Sequence, residues 1–569
     1  MSTKTKVKTQ TKINKSKKAN KHTKYIFVTG GVVSSLGKGL TAASLGSLFR
    51  ARGFSVSLMK CDPYINVDPG TLSPFQHGEV FVTEDGTEAD LDLGHYERFL
   101  DCNLGKNHSI TTGQVYEKVI ANERRGDYLG GTVQVIPHIT DEIKRRIYMA
   151  SESIPKKASS LKTNPPVDIS IVEIGGTVGD IEGLPFLEAI RQIGLDLNSN
   201  QVAFVHLTYL PYLTKVEELK SKPTQHSVKA LREIGIHPNF LICRSEKNVS
   251  LDVKKKISAQ CSVRLENIIS ATDSNSIYEV PLALVSNKLD LQLLKHFNIA
   301  PKTLKLQKWK TLVANLKAQK KEVTIAVVGK YVHLKESYKS LHEALVHGSV
   351  ANKVKIKIKY IDSEKITAKN IKTLLKGVGG VLVPGGFGHR AIEGKLVAIN
   401  YARKNKIPFF GICLGLQMAI IEFAKNVCNL KSATSEEFIT KPSDKKHCVI
   451  ALMEGQKNQE NRGASMRLGA YSCQLQTSSL ISSIYKSKNI SERHRHRYEF
   501  NNQYLPTLKQ AGLVFSGVNK KMNLIEAIEL KNHPWFIGVQ FHPEFKSRPL
   551  KPHPLFVSFI SAILKKESV

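Results

Sequence analysis

The stretch "PFFGICLGLQMAI" (residues 408–420) joins an apolar strand pattern to an amphipathic helix pattern at a single cysteine. Residues 407–412 predict a buried strand, and the "LQMAIIEFA" that comes next has the apolar spacing of a helix. Cys413 lies at the junction, where Gly411 and Gly415 permit a tight turn. This arrangement is typical of a nucleophile elbow, with cysteine in place of serine. The alternative is a buried structural cysteine, which is a common fate of this residue.

A cysteine nucleophile needs a base and a group that orients the base. Near the C-terminus, "WFIGVQFHPEF" (535–545) predicts a strand followed by His542 and Glu544. The rigid His-Pro-Glu step can hold the two side chains in a fixed relation, so that the glutamate sets the imidazole tautomer. A glycine turn after another strand, "VPGGFG" (383–388), offers backbone amides for an oxyanion. The three parts together favour a catalytic cysteine over a structural one.

A strand is predicted at "YIFVTGG" (25–31), and the segment "TGGVVSSLGKGL" (29–40) continues from it and opens a helix. In that setting, backbone amides and the helix N-terminus point at a bound phosphate, and Lys38 adds a point charge. The spacing departs from the usual phosphate-loop pattern, because Gly31 is one residue too far from Lys38 and Gly39 replaces the usual Ser or Thr. An ordinary strand–helix turn is the alternative.

Several further residues suit a nucleotide site. Asp92 and Glu173, the latter at the end of the predicted strand "DISIVE", are candidate ligands for Mg²⁺, which prefers carboxylate oxygens beside phosphates. Lys60 lies near the end of the second predicted strand, "SVSLMKCD" (55–62), at the same sheet edge as Lys38. The segment "KSKPTQHS" (220–227) combines lysines, hydroxyls and a proline-fixed turn. Each of these side chains, taken singly, has a solvated surface position as its alternative.

Strand patterns alternate with helical patterns along both halves of the chain, which predicts parallel sheets covered by helices on both faces. A chain of 569 residues exceeds one hydrophobic core, so two or more domains are expected. A basic, weakly patterned stretch separates the halves. We therefore divide the chain into a disordered basic tail at 1–24, a nucleotide-binding domain at 25–295, a linker at 296–322 and a second domain at 323–569. Residues 155–166, rich in Pro, Ser and Lys, predict a surface loop.

The formal net charge of +34 raises nucleic acid as a partner. The lysines are nevertheless spread along the chain without a basic stripe interleaved with aromatic residues, so we expect no nucleic-acid partner. Eight cysteines without C-x-x-C spacing fit neither a zinc site nor a disulfide framework, and they indicate a reducing cytoplasm. No run approaches about 18 uninterrupted apolar residues, so we expect no membrane partner.

These motifs carry a resemblance to a known family. "GICLGLQ", "VPGGFG" and "FHPEF" resemble a class I glutamine amidotransferase domain. "GGVVSSLGKG", "KCDPYINVDPGTLSPFQHGEVFVTEDG", "DLDLGHYERF", "GTVQVIPHIT", "EIGGTVGDIE" and "KPTQHSV" resemble the CTP synthases. The resemblance covers residues 25–560. It implies a two-domain α/β fold, with a phosphate-loop-like parallel-sheet synthetase domain followed by an α/β amidotransferase domain.

The resemblance also implies an activity, the ATP-dependent amination of UTP to CTP with glutamine as nitrogen donor. In the family, ATP phosphorylates O4 of UTP, and ammonia from glutamine then displaces phosphate from that carbon. Further implications are Mg²⁺ as cofactor, GTP as activator, CTP as feedback inhibitor, a homotetramer and a cytoplasmic location. Filament formation is left open.

The site residues implied by the resemblance fall into six groups. The triad comprises Cys413, His542 and Glu544, and the metal ligands are Asp92 and Glu173. Glutamine-binding positions are Gly386, Leu414, Gly415, Leu416, Gln417, Glu437 and Arg497. ATP-binding positions are Ser35, Leu36, Gly37, Lys38, Gly39, Leu40, Asp92, Arg244, Thr272, Asp273 and Ser274. UTP-binding positions are Ser34, Lys220, Ser221, Lys222, Pro223, Thr224, Gln225 and Lys256. CTP-inhibitor positions are Ser34, Asp180, Ile181, Glu182, Lys220, Lys222, Gln225 and Lys256.

Two departures from the family pattern and two alternatives accompany this interpretation. Thr272 stands where related chains have a lysine near the adenine pocket, and the stretch before "MRLG" (466–469), linked to GTP activation, is short. A different amidotransferase-coupled synthetase, such as a cobyrinate-type amidase, is one alternative, against which "KPTQHSV" argues. A catalytically silent, nucleotide-sensing scaffold is the other, and the complete triad and the carboxylates speak against it.

Overall fold

The structure is a computed structural model that describes residues 22–72, 77–152, 166–330, 335–388, 391–452 and 466–567. Most of the predicted basic tail, nearly all of the predicted surface loop at 155–166 and the stretch just before residue 466 lie outside these ranges. In the described residues, no helix is long and apolar enough to cross a membrane.

The first domain is built on a parallel seven-stranded sheet in the order β11-β10-β7-β1-β6-β2-β5. Two short strand pairs lie beside it. The strands are β1 Lys24–Gly30, β2 Val56–Asp62, β3 Phe81–Val82, β4 Glu88–Ala89, β5 Ser109–Thr111, β6 Ile169–Ile174, β7 Val202–Tyr209, β8 Tyr212–Leu213, β9 Glu218–Leu219, β10 Phe240–Ser245 and β11 Ile268–Thr272.

Helices cover both faces of this sheet. They are α1 Lys38–Ala51, α2 Asp92–Leu100, α3 Thr112–Arg124, α4 Thr140–Ser151, α5 Leu184–Asp196, α6 Lys222–Glu233, α7 Leu251–Cys261, α8 Val280–Ser286, α9 Leu289–His296 and α10 Gln307–Lys317. The central strand β1 shows why the layers form. Ile26 and Val28 point into one apolar core, whereas Tyr25 and Phe27 point into the other, and all four are fully buried. Burial on both faces is the mark of a parallel sheet.

The second domain contains a nine-stranded mixed sheet in the order β13-β12-β14-β15-β23-β22-β21-β18-β19. Its first five strands are parallel, and the rest join antiparallel. The strands of this domain are β12 Glu322–Gly329, β13 Lys355–Asp362, β14 Gly380–Val383, β15 Phe409–Ile412, β16 Thr434–Ser435, β17 Cys448–Leu452, β18 Arg467–Leu475, β19 Asn489–His496, β20 Tyr498–Phe500, β21 Leu513–Asn519, β22 Leu524–Leu530 and β23 Phe536–Val539.

Its helices lie on both sides of the sheet and enclose two further apolar cores. They are α11 Lys339–Ala351, α12 Ile371–Leu374, α13 Ile392–Lys404, α14 Leu414–Asn426, α15 Leu480–Tyr485, α16 Leu505–Gln510 and α17 Pro554–Glu567. The predicted two-domain α/β fold is confirmed.

The stretch between the sheets is more ordered than its composition suggests. Helix α10 occupies the middle of the predicted linker at 296–322 and packs into the core of the first domain through Trp309, Leu312 and Val313. The indole Nε1 of Trp309 donates a hydrogen bond to the Tyr278 carbonyl over 2.7 Å. This helix therefore belongs, by packing, to the domain that precedes it.

Candidate active site

Cys413 occupies a sharp turn between β15 and α14. Its backbone has φ 52° and ψ −103°, a strained conformation for a residue with a side chain, and its amide donates to the Val539 carbonyl over 2.7 Å. The turn needs small neighbours, because a Cβ added to Gly415 would lie 2.1 Å from the Val383 carbonyl oxygen. The fold thus places the thiol at the carboxyl end of a central strand, in the geometry of a nucleophile elbow.

His542 and Glu544 meet beside this thiol, immediately after β23. The His542 Nδ1 lies 2.7 Å from the Glu544 Oε1, and the Phe545 ring stacks on the imidazole at 5.1 Å between centroids. Burial alone would lower the pKa of His542, but the Glu544 carboxylate and the neighbouring Cys413 raise that pKa to about 10. The imidazole is therefore a strong acceptor for a proton.

The turn "VPGGFG" lies directly against the pair. A Cβ added to Gly385 would sit 2.8 Å from the His542 Cε1 and 3.6 Å from the Cys413 Cβ. Any side chain at position 385 would therefore clash with the imidazole, and only glycine fits. Gln540, which the sequence interpretation missed, is fully buried and lies 3.7 Å through its Nε2 from the Cys413 Sγ. Its position directly after β23, two residues before His542, was the available signal.

A cavity of about 420 Å³ opens in front of the thiol. Cys413, His542 and Glu544 line it together with three predicted glutamine-binding residues, Gly386, Glu437 and Arg497. The other wall comes from the first domain, through Gly70, Leu72, Gly78, Glu79 and Val80. All five lie within the family-like stretch at residues 60–86, but none was predicted as a site residue, because they enter the cavity only when the two domains pack.

The remaining predicted glutamine-binding residues, Leu414 to Gln417, form the first turn of α14 behind the thiol. All four are buried, and the Gln417 side-chain amide donates to the Tyr498 carbonyl over 2.9 Å. Glu437 is held at the cavity by the Gly388 amide, which donates to its Oε1 over 2.6 Å. A carboxylate and a guanidinium at one cavity match the ammonium and carboxylate of an α-amino acid.

The predicted phosphate loop connects β1 to α1 in the first domain. Gly37 takes a φ of 93°, which favours glycine, and the ammonium of Lys38 donates to the Gly176 carbonyl over 2.7 Å. Arg244 closes the loop from the side, since its Nη1 donates to the Leu36 carbonyl over 3.0 Å. Its Nε donates to the Asp273 Oδ1 over 3.1 Å. Arg244 therefore links the loop to residues 272–274, the segment predicted to contact adenine.

Asp92 and Glu173 lie next to each other above the start of α1. A Cβ added to Gly39 would be 2.2 Å from the Asp92 Oδ1 and 3.2 Å from the Glu173 Oε2. Lys60 is ion-paired with Asp92 and lies 3.5 Å from the Glu173 Oε1. Burial raises the pKa of Glu173, whereas for Asp92 the Lys60 ammonium overcomes burial and holds the pKa below its usual range. Burial also lowers the pKa of Lys38.

The predicted UTP and CTP residues lie on separate surface segments near this loop. Residues 220–225 run into the first turn of α6, where the Gln225 Nε2 donates to the Ser221 Oγ over 3.1 Å. Lys220 pairs with Glu218 at 2.5 Å, and a hydrogen bond from Lys220 and the charge of Lys256 together lower the pKa of that carboxyl. The structure thus brings Lys220 and Lys256 close to the same carboxylate, that of Glu218. Ser34, residues 180–182 and Lys222 are exposed on other segments of the first domain.

Two family models match the chain, one to each domain. The model described as the CTP synthase N-terminus matches residues 24–299, and the model described as class I glutamine amidotransferase matches residues 333–562.

Similar proteins span nearly the whole chain. A CTP synthase of Bdellovibrio bacteriovorus is 56% identical over 544 residues, which cover 96% of this chain and 99% of the relative. A CTP synthase of Geobacter metallireducens is 56% identical over 544 residues, with 95% and 98% covered. The solved glutaminase domain of the Trypanosoma brucei CTP synthase with bound acivicin is 40% identical, covers 43% of this chain and 94% of its own, and has a TM-score of 0.40.

Proposed function

The chain belongs to the CTP synthase family, and from that membership we propose how its own residues carry out the reaction. The enzyme uses ATP to aminate UTP to CTP, with nitrogen taken from glutamine. The observation that carries our residue assignments is the cavity at Cys413. It holds a complete Cys-His-Glu arrangement on one wall and first-domain residues on the other, so ammonia released there faces the synthetase domain.

In the glutaminase half, His542 takes the proton of Cys413 and Glu544 holds the imidazole in the required tautomer. The thiolate attacks the side-chain carbonyl carbon of glutamine while Glu437 and Arg497 hold its ammonium and carboxylate. The backbone amides near Gly385 and Gly386 stabilise the oxyanion. The C–N bond then breaks, His542 protonates the leaving nitrogen as ammonia, and water hydrolyses the thioester to glutamate and the free thiol.

In the synthetase half, the loop at residues 35–40 binds the phosphates of ATP, with Lys38 at the transferred group. Phosphorylation converts O4 of UTP into a leaving group. Ammonia then attacks C4, phosphate departs, and loss of a proton gives CTP. Arg244 and residues 272–274 hold the adenosine end, and Ser34, residues 220–225 and Lys256 hold UTP.

Asp92 and Glu173 fit a magnesium ion. Their oxygens converge above Gly39, beside the phosphate loop, and two carboxylates together with substrate phosphates are the usual protein share of a Mg²⁺ site. When bound there, the ion supplies charge neutralisation for the phosphates. Lys60, already paired with both carboxylates, sets their orientation.

Regulation and assembly follow the family. GTP activates, and CTP inhibits at a site made by Ser34, residues 180–182, Lys220, Lys222, Gln225 and Lys256. Asp180, Ile181 and Glu182 are exposed, which leaves them accessible to a bound nucleotide. We propose a homotetramer in the cytoplasm. Neither the other amidotransferase-coupled synthetase nor the silent scaffold is favoured, because the family models and relatives are those of CTP synthase.

The assignment is tested by following CTP formation with two nitrogen sources. Cys413→Ala should lose glutamine-dependent synthesis by about 10³-fold or more, because no other side chain there can form the thioester. The same variant should keep synthesis from ammonium salt at raised pH. Lys38→Ala should depress both by about 10²-fold, because it weakens phosphoryl transfer upstream of nitrogen entry.

The contrast between the two variants decides the outcome. A folded Cys413→Ala enzyme that is equally inactive with ammonia and with glutamine would show that the thiol serves the synthetase chemistry. The division of labour proposed above would then be wrong.

A further inference from the structure

Glu97 is a fully buried carboxylate of the first domain whose partners lie mainly in the second. Its Oε2 accepts from Arg493 over 2.9 Å and from Arg548 over 2.5 Å. Its Oε1 accepts from the Nη2 of Arg493 over 3.2 Å and from the Leu104 amide over 2.8 Å. Removing one member of such a buried group leaves uncompensated charge, so the cluster is a strong constraint on where the two arginines lie.

Arg493 ties this cluster to the triad. It is fully buried, and its guanidinium donates to Glu97, to Glu84 over 3.2 Å and to the Val82 carbonyl over 3.0 Å, all in the first domain. Its own backbone carbonyl accepts the His542 amide over 2.7 Å. The synthetase domain therefore fixes the side chain of Arg493, and the main chain of Arg493 in turn fixes the backbone of His542.

Arg548 provides a second connection between Glu97 and the segment that carries the triad histidine and glutamate. It lies just after the short helical turn Pro543–Lys546, and its Nη1 donates to the Phe545 carbonyl over 3.0 Å. Phe545 in turn stacks on the His542 ring. Glu97 thus holds, with one carboxylate, both β19, whose Arg493 carbonyl accepts the His542 amide, and the turn Pro543–Lys546, which carries Glu544.

We propose that Glu97 is a positioning residue for glutamine hydrolysis: from the synthetase domain, it holds His542 and Glu544 in register with Cys413 through Arg493 and Arg548. The inference rests on the proposed function of the triad. Helix α2 carries Asp92 at its first residue and Glu97 five positions later, so the same rigid element reaches both the nucleotide site and the glutaminase.

The test is Glu97→Gln, which keeps the size of the side chain and removes its charge. We expect kcat for glutamine hydrolysis to fall by about tenfold to a hundredfold, because catalysis is sensitive to sub-ångström displacement. KM for glutamine should change by less than about twofold, since Glu437 and Arg497 are untouched. CTP formation from ammonium salt should also stay within about twofold of wild type.

A second readout separates positioning from mere folding. The pH profile of Cys413 alkylation by iodoacetamide should shift in folded Glu97→Gln, because it reports the contact between thiol and imidazole. Glu84→Gln is the matched control, because Glu84 also pairs with Arg493 but its side chain is 28% exposed. An ion pair with a solvent-exposed partner contributes little to holding Arg493 in place, so kcat should be nearly unchanged. Should Glu97→Gln fail to fold, Arg493→Lys keeps the charge, loses the paired hydrogen bonds and should show the same selective loss.

Equal losses with glutamine and ammonia in a folded variant, or no loss with either, would overturn the proposal. An unchanged alkylation profile would do the same. If the wild-type enzyme itself made no CTP from glutamine, the proposed function would fail first, and the two failures are thereby distinguished.

Discussion

Gly385 allows the triad to be disturbed by a single methyl group. In Gly385→Ala the new Cβ would lie 2.8 Å from the His542 Cε1, where ordinary contacts begin at 3.4 Å. The imidazole cannot retreat freely, because Glu544 holds its Nδ1 at 2.7 Å and Phe545 stacks on its face. We therefore expect the ring to shift by roughly half an ångström relative to Cys413 and glutamine hydrolysis to fall by about tenfold to a hundredfold.

The same substitution at Gly39 tests the nucleotide site of the first domain. There a Cβ would lie 2.2 Å from the Asp92 Oδ1, a closer clash at the start of the phosphate-binding helix. Gly39→Ala should therefore depress CTP formation from either nitrogen source, whereas Gly385→Ala should spare synthesis from ammonium salt. Each variant is the control for the other.

The assay is the appearance of CTP, measured with saturating glutamine and then with ammonium chloride, with thermal unfolding recorded for each variant. Full glutamine-dependent activity in folded Gly385→Ala would refute the argument, because the ring would then have room that the structure denies it. Loss of ammonia-dependent synthesis in that variant would refute it equally.

Two further predictions concern charge. His542 has a folded pKa raised to about 10 against an ordinary 6.5, so its charged form stabilises the fold fully below about pH 6.5, and that stabilisation is lost as pH rises through about 10. Glu544→Gln should consequently lower the thermal midpoint more near pH 6 than near pH 10, and a gap independent of pH would contradict this. Lys222→Ala should weaken UTP and CTP alike by about tenfold to a hundredfold, because it removes one charge-assisted phosphate contact. Unchanged affinity for both nucleotides, measured by calorimetry, would reject the assignment.

Most of the parallel strands in both sheets could be predicted from the sequence, because strands buried on both faces are largely continuous apolar runs. The strand predicted at 25–31 is Lys24–Gly30, and the one predicted at 55–62 is Val56–Asp62. The antiparallel strands β18, β19, β21 and β22 were not predicted, since polar residues make up most of β19 and interrupt the apolar runs of the other three. Helix α10 was missed because its lysines obscure the spacing of Trp309, Leu312 and Val313.

The candidate site divides in the same way. The elbow, the His-Pro-Glu step and the phosphate loop are local, and the structure brings Cys413, His542 and Glu544 together as their motifs predict. Gly70 and Glu79 reach the same cavity from the other domain, and no spacing along the chain relates them to Cys413. Such residues become visible only once long-range packing is known.

The basic run "RHRHR" (493–497) shows why a charge count does not identify a partner. By composition it suggests a patch for nucleic acid, yet Arg493 is fully buried against Glu97, and Arg495 pairs with Glu88 at 2.8 Å. Each of these two arginines is neutralised by a glutamate inside the chain, so the pairs add nothing to the net charge or to the potential that a polyanion would meet. Glu97 and Arg493 are 396 residues apart in sequence, and only the fold makes them neighbours. Because side chains alternate along a strand, Arg493 and Arg495 share one face of β19, and both use that face to pair with glutamates of the other domain.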